Sequence, residues 1–129
     1  MAKAKSSMNM DENIASALCY VLTWVTGIIF LVLEKENKTV KFHAWQSIFT
    51  FIPIMVVGWI FMGPLGISWT SNSVYGYSYP VASFSVFYWI GALIYFMMFL
   101  IWLFLMYKAY KGEKYKLPFV GDLAEKQVK

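Results

Sequence analysis

The chain has 129 residues, of which 60% are hydrophobic, 20% aromatic and only 14% charged, with a formal net charge of +4. A soluble domain averages about 25% charged residues, and a chain of this length cannot hide so much apolar surface in one core. The composition therefore excludes an ordinary soluble domain and indicates an integral membrane protein.

The first apolar run follows a short polar segment. Residues 1–12 predict a flexible N-terminal tail, and residues 13–33 are free of charge. A membrane-spanning helix needs about 20 residues at about 1.5 Å per residue, so residues 13–33 predict helix one. Acidic Asp11 and Glu12 abut this run and no small-residue cleavage site follows it, which argues against a removed signal peptide.

The second apolar run extends from Phe42 to Tyr107 and carries no formal charge apart from the titratable His43. Its middle, residues 63–82, holds two prolines, three glycines and several Ser, Thr and Asn residues. Such turn residues indicate an external loop, because hydrocarbon cannot satisfy irregular backbone. The run therefore predicts helix two at residues 42–62, kinked at Pro53, and helix three at residues 83–107.

The lysines predict the orientation, because positively charged flanks stay on the cytoplasmic side. Nine of the eleven lysines lie either in the connection after helix one or in the tail after helix three. Three spans place these two segments on one side. We therefore expect a multi-pass protein of the cell membrane with its N-terminus outside and its C-terminus in the cytoplasm.

The predicted fold class is an all-α integral membrane protein, a compact bundle of about three transmembrane helices with a cytoplasmic interfacial C-terminal segment. That segment, residues 108–129, is basic and amphipathic, and its lysines favour anionic lipid headgroups by about 1 kcal/mol each. Leu117 to Val120 form an apolar patch. Asp122 and Glu125 then match the spacing of a helix N-cap and its reciprocal acid, which predicts a short helix from Asp122.

Helix two begins with a polar stripe: His43, Gln46, Ser47 and Thr50 recur at helical spacing. In an antiparallel hairpin with helix one, Thr26 would lie near Ser47 and Thr23 near Thr50. The stripe fits a seam of packed helices joined by hydrogen bonds. A water-lined path is the alternative, although the stripe stops at Thr50.

The sequence offers no candidate catalytic, cofactor-binding or metal-binding residues. No acid or lysine lies inside a predicted span, where such residues usually mark function. His43 is the only histidine, so no histidine pair can hold a metal, and phosphate-binding glycine loops are absent. We therefore expect a protein that is not an enzyme, needs no cofactor and binds no nucleic acid.

Two stretches, "LEKENKTVKFHAWQS" and "KAYKGEKYKLPFVGDLAEK", carry a family resemblance. The chain from about Ile14 to Glu125 resembles a family of small bacterial and archaeal membrane proteins, largely uncharacterised, related to the channel-like import component of the chloroplast inner envelope. The resemblance implies a compact helical membrane domain and one motif in each stretch. The motif residues that we take as candidate interaction residues are Glu34, Glu36, Asn37, His43, Gln46 and Ser47 in the first, and Lys116, Pro118, Asp122 and Glu125 in the second.

Both motifs fall on the predicted cytoplasmic face, so they can touch. We expect the patch at residues 117–120 to pack against the start of helix two, with Lys116 or Asp122 meeting Glu34, Glu36 or His43. The sequence favours an interaction or scaffold component that resembles proteins of import or translocation machinery. An oligomeric channel or small transporter is the alternative, and the expected partners are the bilayer, another protein or further copies of the chain.

Overall fold

The computed structural model describes residues 5–129, so the first four residues of the predicted N-terminal tail lie outside it. Five helices and one antiparallel two-stranded sheet make up this part of the chain. In chain order they are α1 (Glu12–Val21), α2 (Trp24–Leu33), α3 (Lys38–Met62), β1 (Ile67–Val74), β2 (Tyr77–Phe84), α4 (Val86–Tyr110) and α5 (Val120–Val128).

The prediction of an all-α bundle of three membrane-spanning helices is wrong. Within residues 5–129, only α3 and α4, with 25 residues each, are long and apolar enough to cross a membrane. The predicted helix one is instead two helices, α1 and α2, of 10 residues each. At about 1.5 Å per residue, each is about 15 Å long, half the thickness of a hydrocarbon core of about 30 Å.

Hydroxyl groups explain why the apolar run breaks after Val21. Thr23 has a φ of 57°, which a helix cannot accommodate, and its hydroxyl donates to the carbonyl of Leu22 at 2.7 Å. The Thr26 hydroxyl accepts from the Leu22 amide at 3.2 Å and donates to the Cys19 carbonyl at 3.1 Å. These side-chain bonds replace regular helical bonds around the break.

The predicted external loop at residues 63–82 is mostly a β-hairpin, which is the second departure from an all-α fold. Its strands pair from Ile67 with Phe84 to Val74 with Tyr77. Tyr75 and Gly76 form the turn with φ values of 52° and 85°, as a two-residue turn with both central residues left-handed requires. Because β2 extends to Phe84, α4 begins at Val86 rather than at the predicted Ser83.

The chain divides into two compact units. Of the described residues, the first unit comprises 5–53 and 99–129, and the second comprises 54–98. The first unit contains α1, α2, α5, the beginning of α3 and the end of α4, and its core includes the buried residues Ala15, Cys19, Phe30, Val40 and Ala44. The second unit contains the β-hairpin with the adjoining parts of α3 and α4.

Candidate functional site

All ten predicted interaction residues lie in the first unit, and three of them, Glu34, Glu36 and Asn37, lie in the connection between α2 and α3. Glu34 directly follows α2 and is only 1% exposed. Its carboxylate accepts hydrogen bonds from the amides of Ser7 (2.9 Å) and Asn37 (3.0 Å), and from the Ser7 hydroxyl. Burial opposes ionisation of Glu34, yet these donors outweigh it and hold the pKa of Glu34 below its ordinary value. The carboxylate therefore organises the connection as an anion.

Asn37 occupies the position directly before α3 and caps that helix. Its side-chain oxygen accepts from the amides of Thr39 at 2.9 Å and Val40 at 3.1 Å, as a helix N-cap does. Its amide nitrogen donates to the Glu12 carboxylate at 2.6 Å and to the Lys5 carbonyl at 3.2 Å. Asn37 thus joins the N-terminal segment, the beginning of α1 and the beginning of α3.

A buried polar cluster lies further along α3. The Tyr20 hydroxyl is 2.9 Å from Nδ1 of His43, and Nε2 of Gln46 donates to the same hydroxyl at 3.3 Å. Gln46 also bonds the tail: Nε2 donates to the Tyr115 carbonyl at 3.0 Å, and Oε1 accepts from the Leu117 amide at 3.4 Å. We call these last two bonds the Gln46 bridge. It holds the C-terminal tail against α3.

The break between α1 and α2 forms a hairpin tip, here residues Tyr20 to Thr23, that two other helices contact. The Ser47 hydroxyl of α3 donates to the Thr23 carbonyl at 2.5 Å. Nε1 of Trp102 in α4 donates to the Tyr20 carbonyl at 2.5 Å. Ser47 also packs beside Thr26, since a Cβ on the neighbouring Gly27 would lie 3.0 Å from the Ser47 hydroxyl oxygen. Thr50 donates to the Gln46 carbonyl of its own helix at 2.6 Å.

The tail residues form ion pairs among themselves. Lys116 pairs with Glu125, and Nζ of Lys114 lies 3.9 Å from the same carboxylate. The hydrogen bond between them raises the pKa of Lys116 and lowers that of Glu125. The expected meeting of Lys116 with Glu34, Glu36 or His43 is therefore replaced by a pair within the tail. Pro118 and Asp122 are exposed, and Asp122 lies in the first turn of α5, which begins at Val120 rather than at Asp122.

The structure places the predicted residues in separate sets of contacts: Glu34 bonds Asn37, His43 and Gln46 share the Tyr20 hydroxyl, Ser47 bonds the hairpin tip, and Lys116 pairs with Glu125. Glu36 is exposed and contributes only its backbone amide, 3.2 Å from Glu34. Three participants were missed: Ser7, Tyr20 and Trp102. Tyr20 and Trp102 are aromatic residues with a polar tip, which need a partner when buried, and this signal was present in the sequence. Ser7 lies in a polar segment that gives no such signal.

The donor sets at the site do not converge on a common centre. Within residues 5–129, no group of three or more His, Cys, Asp or Glu side chains is placed to share a metal ion. Cys19 is buried in the core, and its thiol donates to the Ala15 carbonyl at 3.3 Å. What the arrangement does chemically is satisfy the backbone where the helices are interrupted.

Two helices long and apolar enough to cross a membrane, together with a network that satisfies interrupted backbone, agree with a small membrane protein. The chain belongs to the MamF/MmsF family, described as the magnetosome magnetite crystal formation protein family, whose profile matches residues 2–124.

Its relatives are named membrane proteins as well. A UPF0132 membrane protein of Methanocaldococcus jannaschii is 42% identical over 121 residues, covering 94% of this chain and 92% of the relative. A second from that organism is 33% identical and covers 93% and 72%. A UPF0132 membrane protein of Archaeoglobus fulgidus is 38% identical and covers 92% and 97%. No solved structure matches the chain.

These comparisons support one part of the family resemblance seen in the sequence. They place the chain in a family of small archaeal membrane proteins of uncharacterised function. They give no support to a relation with the chloroplast import component, nor to a part in translocation.

Proposed function

We propose that this chain is a non-enzymatic membrane protein that holds a protein partner on its lysine-rich side. The Gln46 bridge carries the proposal, because a fully buried side chain of a membrane helix fixes the backbone of the tail at Tyr115 and Leu117. A merely solvated tail would need no such attachment. The fixed tail leaves Phe119, at the start of α5, 85% exposed. A large apolar side chain held at a defined position suits an interface anchor.

The engagement of the polar residues supports a structural role over catalysis. The Glu34 carboxylate receives several backbone donors, and Nδ1 of His43 in α3 is 2.9 Å from the Tyr20 hydroxyl of α1. A general acid or base must reach its substrate with a free proton or lone pair. The groups best suited to acid–base chemistry are thus already used to connect segments of the protein.

We propose further that the protein crosses the membrane twice, with both termini in the cytoplasm. The bonds from Ser7 to Glu34 and from Asn37 to Lys5 support this, because they hold the N-terminal segment beside the connection that precedes α3. The expectation of an external N-terminus followed from an odd number of spans and does not agree with these contacts. In the two-span topology every lysine of residues 5–129 lies at the cytoplasmic ends, in accord with the positive-inside rule.

Cysteine labelling of intact cells tests this topology. Single cysteines at Lys5, Ser73 and Gln127 would be exposed to a membrane-impermeant maleimide in a Cys19→Ala background. We expect labelling of Ser73→Cys in the β-hairpin alone, with Lys5→Cys and Gln127→Cys labelled only after the cells are opened. An external N-terminus would instead give labelling of both Lys5→Cys and Ser73→Cys in intact cells.

Photo-crosslinking tests the partner-holding role. A photoreactive phenylalanine analogue would replace Phe119, and the matched control would replace Tyr75, a 97% exposed residue of the hairpin turn. We expect one recurrent heterologous partner at position 119, absent at position 75 and lost when Gln46→Leu releases the tail. Crosslinks only between copies of this chain, in a ladder of defined size, would contradict the proposal and favour the oligomeric channel or small transporter.

A further inference from the structure

The α1–α2 hairpin enters and leaves the protein at the same end. Asn37 of the following connection donates to Glu12 at the start of α1, and Glu34 at the end of α2 accepts from Ser7. Each arm of 10 residues is about 15 Å long, enough to cross about half of the hydrocarbon core. The hairpin is therefore suited to enter one leaflet and return.

The contacts of the hairpin tip agree with a position at intermediate depth. The tip meets Ser47 of α3 and Trp102 of α4. At about 1.5 Å per residue, these two residues lie about 12 to 14 Å inside the cytoplasmic ends of their helices. Interrupted backbone is tolerated at such depth only where protein satisfies it, and the bonds to Thr23 and Tyr20 do so.

The outer face of the hairpin is apolar on both arms. No charged residue lies between Asn13 and Leu33. Leu22 at the tip is 59% exposed, and Val32 near the end of α2 is 72% exposed. The other exposed apolar residues of the two arms are Ile14, Val21, Val25, Ile28, Ile29 and Leu33. The exposed apolar face lies mainly on α2 and the tip, because half of the residues of α1 are buried, and it suits contact with lipid acyl chains.

We infer that the α1–α2 hairpin acts as a wedge in one leaflet, so that the protein binds preferentially to bilayers that are convex on its lysine-rich side. The inference rests on the proposed two-span topology and is independent of the partner-holding role. α3 and α4 cross both leaflets and add area to each, whereas α1 and α2 add area only to the cytoplasmic leaflet. A bilayer relieves such an imbalance by curving so that the expanded leaflet lies on the convex side. Helices that insert into one leaflet only are curvature-sensitive for this reason.

Reconstitution into vesicles of two sizes tests the wedge. The full chain would be incorporated into a mixture of small sonicated and large extruded vesicles of the same phosphatidylcholine and phosphatidylglycerol composition. We expect about threefold more protein per unit of membrane area in the small vesicles, with the lysine-rich side outward. Equal protein density in the two populations would overturn the inference.

Two matched sets of truncations distinguish a wedge from general apolarity. The hairpin set is Leu22→Ala, Ile29→Ala and Val32→Ala. The control set lies at the beginning of α4 and is Val86→Ala, Ile90→Ala and Leu93→Ala. All six side chains are exposed. The hairpin set removes volume from the cytoplasmic leaflet and should lower the preference for small vesicles, whereas the control set removes volume from the opposite leaflet and should raise it. A decrease with both sets would overturn the wedge.

The labelling experiment separates the two proposals. Cytoplasmic protection of Lys5→Cys together with equal vesicle densities overturns the curvature preference and leaves the topology standing. External labelling of Lys5→Cys overturns the topology and the wedge with it.

Discussion

The two units of this protein hold their helices together in different ways. In the first unit, side chains from separate segments donate to backbone carbonyls: Ser47 to Thr23, Trp102 to Tyr20, and Gln46 to Tyr115. In the second unit, glycines bring helices close. A Cβ on Gly58 would lie 2.9 Å from the Tyr95 ring, and one on Gly91 would lie 2.8 Å from the backbone nitrogen of Met62.

The difference follows from where the backbone leaves regular helix. Uninterrupted helices satisfy their own amides and carbonyls, so small residues and van der Waals contact suffice to pack them in a membrane. The first unit contains a helix break between α1 and α2 and a tail that returns to α3. An unsatisfied backbone group in hydrocarbon costs several kcal/mol, so each interruption needs a polar partner from another segment. Polar residues in this membrane protein thus mark interruptions of the backbone.

Removing the charge of Glu34 should have the largest effect on the first unit. Glu34→Gln keeps the shape of the side chain, but places an amide donor among backbone donors. We expect a loss of about 3 kcal/mol in the free energy of unfolding, since hydrogen bonds to charged groups are the strong ones. The measurement is SDS-induced unfolding in mixed micelles. Glu36→Gln, at an exposed position, is the control and should change stability by less than about 0.5 kcal/mol.

The same variant tests the direction in which the stability of the protein changes with pH. Because the pKa of Glu34 is lowered in the folded state, its anion stabilises the protein above the ordinary glutamate pKa. This contribution is lost as the pH falls from that value through the lowered folded value. The stability difference between the natural protein and Glu34→Gln should therefore shrink in that acidic range. A difference that does not change with pH would mean that the charge is not the cause.

Trp102→Phe tests the hairpin tip and should have the next largest effect. The variant removes the donor to the Tyr20 carbonyl, which keeps its bond from the Thr23 amide at 2.9 Å. We expect a loss of about 2 kcal/mol from the missing bond and the smaller ring. Trp89→Phe, at a 66% exposed position, is the matched control in the second unit. Equal losses in the two variants would remove the distinction between the units.

The membrane character was predictable from sequence because it depends on composition alone. Charges also lie close to the beginning of α3 and the end of α4, since hydrocarbon excludes them from the run between. The break at Leu22 and Thr23 was missed because the surrounding run holds no proline and Gly27 lies four residues beyond the break. The hydroxyls of Thr23 and Thr26 that bond at the break are local, but Ser and Thr also occur in regular membrane helices. The further donors at the break, Ser47 and Trp102, are distant in sequence. The β-hairpin of β1 and β2 was missed because glycine and proline in residues 63–82 suggested an irregular loop.

The candidate site shows the same division between local and distant signals. The stripe from His43 to Thr50 was visible because helical spacing is a local property. Its partners were not, since Tyr20 reaches His43 and the tail reaches Gln46 only once the chain is folded. Asn37 was identified only as a motif residue, although Asn before a helix is a common N-cap. Lys116 pairs with Glu125, nine residues away, rather than with Glu34 or Glu36. A partner in the same tail requires less of the chain to be ordered.

The smallest expected effect tests the comparison from the second unit. The Tyr95 hydroxyl donates to the Met55 carbonyl at 3.1 Å. Met55 lies inside α3, where the carbonyl also has a helical partner, so Tyr95→Phe leaves no backbone group unsatisfied. Side-chain hydrogen bonds between membrane helices average about 0.6 kcal/mol, and we expect a loss of about that size or less by SDS-induced unfolding. Tyr95→Leu also removes the ring that packs on Gly58 and should cost more. Tyr95→Phe could instead destabilise the protein as much as Trp102→Phe does. Side-chain hydrogen bonds would then contribute equally in regular and in interrupted helices, and the polar network would not be a response to the broken backbone.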